Sequence, residues 1–245
     1  MPLALGLDFG TTNSALAVAS EQGTTLMEFP ALGRLIDVYR SVLYFDPEEL
    51  GEGRRPLTIT GPRAIEHYLD ADGQGRLLQS IKSYLASRLF KSTQIAGRTY
   101  SLEELIAIII RDVRSAAEAR FGPLPARVVV GRPVRFGGAR EDLNSDADPA
   151  SASECPGEPE GDAYALQRLR RALALGGFTE VVFEYEPVAA AYHYEGTLSH
   201  DELVLIADFG GGTSDFCLMR VGPGVRARGR QPKDMLGTEG VALAG

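Results

Sequence analysis

The sequence predicts an α/β protein of one large domain or two smaller ones, since it has 245 residues. Short apolar runs that end in glycine-containing turns, such as residues 3–7 and 203–207, are typical of buried strands. Ser101 and Glu104 form a capping-box pattern ahead of an apolar stripe at helical spacing, which predicts an amphipathic helix. The hydrophobic fraction of 44% is that of an ordinary globular protein, so a chain disordered throughout is excluded.

The predicted elements follow in chain order. Strands are expected at 3–7, 14–19, 24–29, 42–45 and 57–60, with a helix beginning at Pro62. The helix capped by Ser101 is expected to face the core through Leu102, Leu105, Ile106, Ile109, Ile110, Val113 and Ala117, and to end near Phe121. Further along we expect a strand at 127–130, a helix at 163–175, a strand at 181–185, a helix from Val188 and a strand at 203–207.

Residues 137–162 differ in composition from the rest of the chain. They carry eight acidic residues, one arginine and no aromatic residue, together with many Ser, Ala, Pro and Gly residues. Such a segment cannot bury enough apolar surface to offset its ordering entropy. We expect a mobile insertion, with an acidic interaction segment as the alternative.

Charge and composition exclude several classes of function. The net charge of −8 argues against a general nucleic-acid binder, because phosphate backbones require clustered Lys and Arg. The longest aliphatic run, Leu105 to Ile110, is far shorter than the ~20 residues that span a bilayer. Cys155 and Cys217 cannot form a disulfide framework, and the N-terminus has no basic region typical of a signal peptide. We therefore expect a cytoplasmic protein that binds neither nucleic acid nor membrane.

The most informative feature is an internal repeat at an offset of 200 residues. Residues 3–14 (LALGLDFGTTNS) align with residues 203–214 (LVLIADFGGGTS), with six of twelve positions identical, where average composition would give roughly one. In each copy a buried strand ends in Asp-Phe-Gly, and small or hydroxyl residues lead into a second strand. Each copy therefore predicts a β-hairpin whose turn has small side chains.

The two turns have the chemistry of a phosphate site. Their glycines allow close backbone approach and expose N–H groups to an anion, and Thr11, Thr12 and Thr213 add hydroxyl donors. Asp8 and Asp208 end equivalent strands, where a carboxylate can hold Mg²⁺ through water. We predict that these aspartates lie on opposite walls of one cleft, faced by both turns; ordinary tight hairpins are the alternative.

These motifs resemble the nucleotide-binding domain of the heat-shock protein 70 (DnaK-type) family, within the actin-like ATPase superfamily. Residues 6–14 (GLDFGTTNS) resemble its first phosphate motif, residues 205–215 (LIADFGGGTSD) its second, and residues 184–191 (EYEPVAAA) its connecting helix motif. Residues 129–134 (VVGRPV) and 80–85 (SIKSYL) are similar to the divergent YegD-like branch. The resemblance implies an actin-like ATPase (ribonuclease H-like) fold, with mixed sheets flanked by helices.

The resemblance also implies a role for each matching residue. Lys82 corresponds to a catalytic lysine that contacts the γ-phosphate and the attacking water, with a surface helix lysine as the alternative. Glu186 corresponds to an acidic residue near the metal and the water, and Asp215 to an ion- and water-positioning aspartate. Asp8 and Asp208 correspond to metal-site aspartates for Mg²⁺. The implied nucleotide contacts are Gly10, Thr11, Thr12, Asn13, Gly210, Gly211, Gly212 and Thr213.

The implied function is ATP binding and hydrolysis by a divergent DnaK-like, chaperone-type protein, with closure between lobes coupled to the nucleotide state. ATP or ADP and Mg²⁺ are the implied ligands, and client or co-chaperone proteins would act through other regions. Residues 1–190 would form the first lobe and residues 191–245 the start of an incomplete second lobe, so we expect this chain alone to bind ATP weakly and hydrolyse it slowly.

Two features depart from the family pattern. Asn13 stands where a tyrosine is usual, and the acidic segment 137–162 is foreign to the standard chaperones. The alternatives are an actin-like filament or cell-shape protein, which shares both phosphate hairpins, and a sugar kinase of the same superfamily, for which we find no sugar-site motif.

Overall fold

The computed structural model describes residues 3–31, 33–50, 56–137 and 160–241, apart from the side chains of 47–50. These residues form a mixed α/β fold with five sheets, which confirms the predicted α/β class. The helices are α1 (Pro62–Asp70), α2 (Leu102–Phe121), α3 (Glu160–Leu175), α4 (Glu186–Glu195) and α5 (Pro223–Arg228). The strands are β1 (Ala4–Phe9), β2 (Asn13–Ser20), β3 (Gly23–Leu26), β4 (Phe29–Ala31), β5 (Arg34–Ile36), β6 (Tyr39–Arg40), β7 (Leu43–Leu50), β8 (Pro56–Thr60), β9 (Arg76–Leu78), β10 (Ser92–Ile95), β11 (Arg98–Ser101), β12 (Arg127–Arg132), β13 (Glu180–Tyr185), β14 (Glu202–Phe209), β15 (Ser214–Val221) and β16 (Met235–Val241).

The largest sheet combines antiparallel and parallel pairing. Its order is β13-β12-β1-β2-β3, and β6 pairs with the start of β2. β1, β2 and β3 are antiparallel neighbours, whereas β1, β12 and β13 are parallel. Because the carboxyl ends of parallel strands meet at one edge of a sheet, Asp8 near the end of β1 lies on the same edge as Glu186, which directly follows β13.

The main hydrophobic core lies between this sheet and the helices α2 and α3. Ser101 Oγ accepts a hydrogen bond from Glu104 N (3.2 Å), and Glu104 Oε2 accepts one from Ser101 N (2.8 Å), so the predicted capping box is formed. All seven residues of the predicted apolar stripe of α2 are buried. Burial of this stripe, rather than helix propensity alone, stabilises a helix of this length.

A second, smaller sheet of three antiparallel strands has the order β14-β15-β16. Helix α4 packs on one of its faces, where Val188 and Ala191 join Cys217, Met219 and Val221 in a separate buried cluster. The predicted lobe boundary after residue 190 therefore falls inside α4.

Several predicted boundaries differ from those observed. The strand expected at 24–29 is divided: β3 ends at Leu26, Met27 N still donates to Leu16 O, and β4 begins at Phe29. The helix expected from Val188 begins at Glu186, since Pro187 fits the first turn of a helix. Helix α3 begins at Glu160, inside the segment predicted to be mobile, where the buried Asp162 accepts a hydrogen bond from Phe136 N (2.9 Å). The rest of that predicted insertion, residues 138–159, lies outside the described residues.

Within the described ranges, no helix combines the length and apolar character needed to cross a membrane.

Candidate functional site

The two copies of the sequence repeat form hairpins with the same geometry. In the first hairpin, β1 and β2 pair so that Phe9 lies opposite Ser14. In the second hairpin, β14 and β15 place Phe209 opposite Ser214. Four residues separate the two partners in each case, 10–13 and 210–213, and in the second turn Gly210 N donates to Thr213 O (2.9 Å). The sequence repeat is therefore also a structural repeat, in register.

The turns of the two hairpins lie against each other. A Cβ atom added to Gly211 would lie 2.7 Å from Thr12 Oγ1, and one added to Gly212 would lie 3.4 Å from Thr11 Oγ1 and 3.5 Å from Ser83 Oγ. The absence of side chains at Gly211 and Gly212 thus lets the threonines of the first turn approach the backbone of the second. The two turns therefore meet, whereas the predicted cleft with Asp8 and Asp208 on opposite walls stays a prediction.

Lys82 lies beneath these turns and is buried, with 7% of its surface exposed. It belongs to a short 3₁₀ turn, Ile81–Tyr84, and its Nζ donates to Glu186 Oε1 at 2.8 Å. Its alternative interpretation as a surface helix lysine is therefore wrong. A lysine in this position is held by the carboxylate of a residue 104 positions away in the sequence.

The ammonium group of Lys82 pairs with the carboxylate of Glu186 and acts through its charge on those of Asp8 and Asp208. Asp8 is an exposed residue, yet desolvation by the surrounding protein is the main cause that raises its pKa from 3.8 to about 6. The charge of Lys82 lowers the pKa of Asp8, while those of Glu186 and Asp208 raise it. The pKa of Asp208 is raised by desolvation and by Glu186, and lowered by Lys82. The single ammonium group of Lys82 thus interacts with three carboxylates, so the net charge of the site is negative.

Asp215 anchors the second hairpin to the segment that follows β12. It is buried, its Oδ1 accepts hydrogen bonds from Val134 N (2.8 Å) and Arg135 N (3.4 Å), and its Oδ2 accepts one from Thr213 Oγ1 (2.9 Å). Desolvation raises the pKa of Asp215, and these hydrogen bonds oppose the increase. Both carboxylate oxygens are engaged by the protein, so the observed contacts hold the turn in place; the ion- and water-positioning role stays a prediction.

Asn13 is engaged by a residue that the sequence did not single out. Arg40 Nη1 donates to Asn13 Oδ1 at 2.8 Å, and Asn13 pairs with Arg40 at the start of β2. Arg40 belongs to no recognisable motif, and it reaches the turn only because the two-residue strand β6 pairs there. Ser83 is a second residue near the turns that sequence reasoning missed, although it lies beside Lys82.

The residues present fit a hydrated magnesium ion better than a metal held by protein ligands alone. Across the described ranges, no three His, Cys, Asp or Glu side chains are placed so that they could hold a metal ion. The charge of Asp208 nevertheless contributes to the raised pKa of Asp8, which places the two carboxylates near each other. Mg²⁺ usually keeps several waters and takes only one or two carboxylates plus phosphate oxygens, and the exposed Asp8 and the half-buried Asp208 are a suitable donor set for it.

The chain matches no protein-family model. The fold and the site together describe a mixed α/β protein in which the turns of two equivalent strand–turn–strand hairpins meet near a lysine and three carboxylates.

The raised pKa of Asp8 predicts a pH dependence of stability. Because the folded state binds this proton more tightly than the unfolded state, the contribution of Asp8 to the free energy of unfolding should fall as the pH rises from about 4 to about 6, and level off above. Asp8→Asn should remove this part of the slope. Urea unfolding of both proteins at several pH values measures the difference, with Asp37→Asn, at an exposed carboxylate, as the control. Parallel pH profiles for the Asp8 variant and the parent would contradict the assignment.

Proposed function

We propose that the chain binds ATP with Mg²⁺ and hydrolyses it, as part of an actin-like ATPase of the heat-shock protein 70 type. The observation that carries the proposal is the meeting of two equivalent glycine-containing turns over Lys82, Asp8 and Asp208. Two unrelated tight hairpins would not be expected to place their turns against each other. A bound polyphosphate, in contrast, requires hydrogen-bond donors on both of its sides, which two facing turns would supply.

The duplicated geometry also supports the proposed two-lobed, ribonuclease H-like fold. The first hairpin opens the large mixed sheet, and the second opens the sheet β14-β15-β16, with the aspartate at the same register position in both. Helix α4 follows β13 of the first sheet and packs on the second, so it joins the two.

Phosphoryl transfer depends mainly on positioning and on neutralising charge. In the proposed site, backbone N–H groups of the glycine-containing turns and the hydroxyls of Thr11 and Thr12 would hold the phosphate oxygens. Because the two turns lie against each other, a phosphate group between them would have to replace these contacts. Lys82 Nζ would exchange part of its interaction with Glu186 for the terminal phosphate.

Asp8 and Asp208 would hold Mg²⁺ through its waters. The bound ion would supply neutralisation of the phosphate charge. Glu186, released from Lys82, would then be free to accept a hydrogen bond from the attacking water, as the resemblance implies for this position.

The decisive experiment is a calorimetric titration of the chain with Mg-ATP, ATP plus chelator, and adenosine. We expect binding that requires both the polyphosphate and the metal, and that is lost in an Asp8→Asn/Asp208→Asn double variant. Asp37→Asn/Asp72→Asn, which replaces two exposed aspartates elsewhere, is the matched control. Absence of binding at about 1 mM Mg-ATP, equivalent to about −4 kcal/mol, would contradict the proposed function.

A further inference from the structure

Arg40 is attached to the turn of the first hairpin through its backbone. Strand β6 pairs Arg40 with Asn13 and Tyr39 with Ser14, and the next residue, Ser41, donates its N–H to Thr12 O at 3.0 Å. Tyr39 is buried beneath, where its hydroxyl donates to Asp112 Oδ2 and accepts a hydrogen bond from Thr60 Oγ1 (2.6 Å). The position of Arg40 next to the turn is therefore set by hydrogen bonds on both sides and by a buried anchor.

The Arg40 side chain carries more N–H donors than its hydrogen bond to Asn13 uses. Its Nη1 donates to Asn13 Oδ1 at 2.8 Å, and a guanidinium group carries five N–H donors. Among the residues that the structure describes, no carboxylate forms an ion pair with it, and the side chain is partly exposed. Asn13 thus holds the guanidinium group at the turn without neutralising its charge.

The net charge of the site gives a physical reason for a guanidinium group beside it. Lys82 already forms an ion pair with Glu186 at 2.8 Å, so the carboxylates of Asp8 and Asp208 make the net charge of the site negative. A polyphosphate adds further negative charge and needs a second cation besides the lysine. A guanidinium group suits this task because its planar donors match phosphate oxygens in pairs.

We propose that Arg40 is a phosphate-binding residue of this site and that Asn13 is its positioning residue. This inference rests on the proposed function and adds to it a ligand contact from outside the two hairpins. The group that Arg40 recognises is the polyphosphate of the nucleotide, not its adenosine part.

The test compares Arg40→Gln, Asn13→Ala and Arg34→Ala by calorimetric titration with Mg-ATP and with adenosine. Arg34 is a matched control because it is an exposed arginine on the nearby strand β5. We expect Arg40→Gln to weaken Mg-ATP binding about tenfold or more, the effect of losing a charged hydrogen bond, with adenosine binding unchanged. Asn13→Ala should weaken Mg-ATP binding by about threefold, and Arg34→Ala should have no effect.

The outcomes separate this inference from the proposed function. If the parent chain binds Mg-ATP and Arg40→Gln binds it equally well, the role of Arg40 is refuted while the proposed function stands. If the parent chain binds no Mg-ATP, the proposed function fails and the inference fails with it. Thermal unfolding of each variant shows that it is folded, and Arg40→Lys adds a further check, since a lysine should recover only part of the affinity if paired donors are used.

Discussion

Gly10→Ala should lower the free energy of unfolding by about 3 kcal/mol or more, because the turn of the first hairpin has no room for a methyl group. A Cβ atom at Gly10 would lie 2.1 Å from Asn13 O and 3.3 Å from Asn13 C. These are backbone atoms, so no side-chain rotation can relieve the overlap and the hairpin itself must distort. Urea unfolding followed by circular dichroism measures the loss, and the expected change is a large part of the 5–15 kcal/mol that stabilises a typical domain.

Two glycines serve as controls for this variant. Gly6→Ala, in strand β1 ahead of this turn, would place its methyl group 4.0 Å from Ala17 Cβ, an ordinary contact. Gly210→Ala, at the equivalent position of the second hairpin, would approach Thr213 O to only 3.3 Å and should cost much less. Equal losses for all three variants would show that the overlap in the first turn is relieved without distortion.

Local sequence patterns predicted many of the elements correctly. The capping box of Ser101 and Glu104 and the stripe that follows are short-range signals, and α2 begins where they indicate. The repeat around Asp8 and Asp208 also predicted both hairpins, and their identical turn length gives them an identical pairing.

Other elements were missed because their signals are weak or non-local. The hairpin β10–β11 turns at Ala96 and Gly97, which both have positive φ. An alanine at the first of these positions is not among the residues that indicate such a turn in a sequence. Strand β6 is only two residues long and exists because the buried Tyr39 ring and the hydrogen bond from Ser41 to Thr12 hold it against β2.

The charged residues of this cluster were named from the sequence, but the interactions between their side chains were not predicted. Nothing near Lys82 in the sequence indicates that its ammonium group meets Glu186, since the contact depends on the fold bringing the 3₁₀ turn to the start of α4. The same holds for Arg40 and Asn13. Sequence motifs identify which residue types a site needs, whereas the pairing of charges follows from tertiary packing.

These pairings explain how one lysine can hold three carboxylates together. Desolvation and the charge of Glu186 raise the pKa of both Asp8 and Asp208, and the charge of Lys82 opposes both effects. Charges in a partly desolvated environment interact more strongly than in water. Removal of the lysine should therefore raise the pKa of both Asp8 and Asp208.

Lys82→Ala is expected to raise the pKa of Asp8 above its value of about 6, because the variant removes the charge that lowers it. Asp208 should shift in the same direction. Carbon-detected NMR titration of the aspartate side chains measures both shifts without requiring any ligand. Lys91→Ala, at an exposed lysine outside the site, is the control and should leave both carboxylates unchanged.

The same variant should slow ATP turnover by about two orders of magnitude or more in a protein that contains this chain, with nucleotide binding less affected. That scale is typical of losing one electrostatic stabiliser from a preorganised site. Single-turnover rates of Lys82→Ala equal to those of the parent would refute the catalytic role, whatever the NMR titration shows.

A double variant, Lys82→Ala/Glu186→Gln, tests whether Lys82 and Glu186 act on Asp8 as an electrostatic pair and whether both are needed for turnover. Removing one member of an ion pair leaves the other charge uncompensated, whereas removing both removes the penalty. The pKa of Asp8 should therefore be lower in the double variant than in Lys82→Ala, because Glu186 also raises it. Turnover should stay low, since no ammonium group is restored and the carboxylate proposed to contact the attacking water is also replaced. If turnover instead recovers together with the pKa of Asp8, Lys82 acts only by balancing the carboxylates, and neither Lys82 nor Glu186 has its proposed catalytic role.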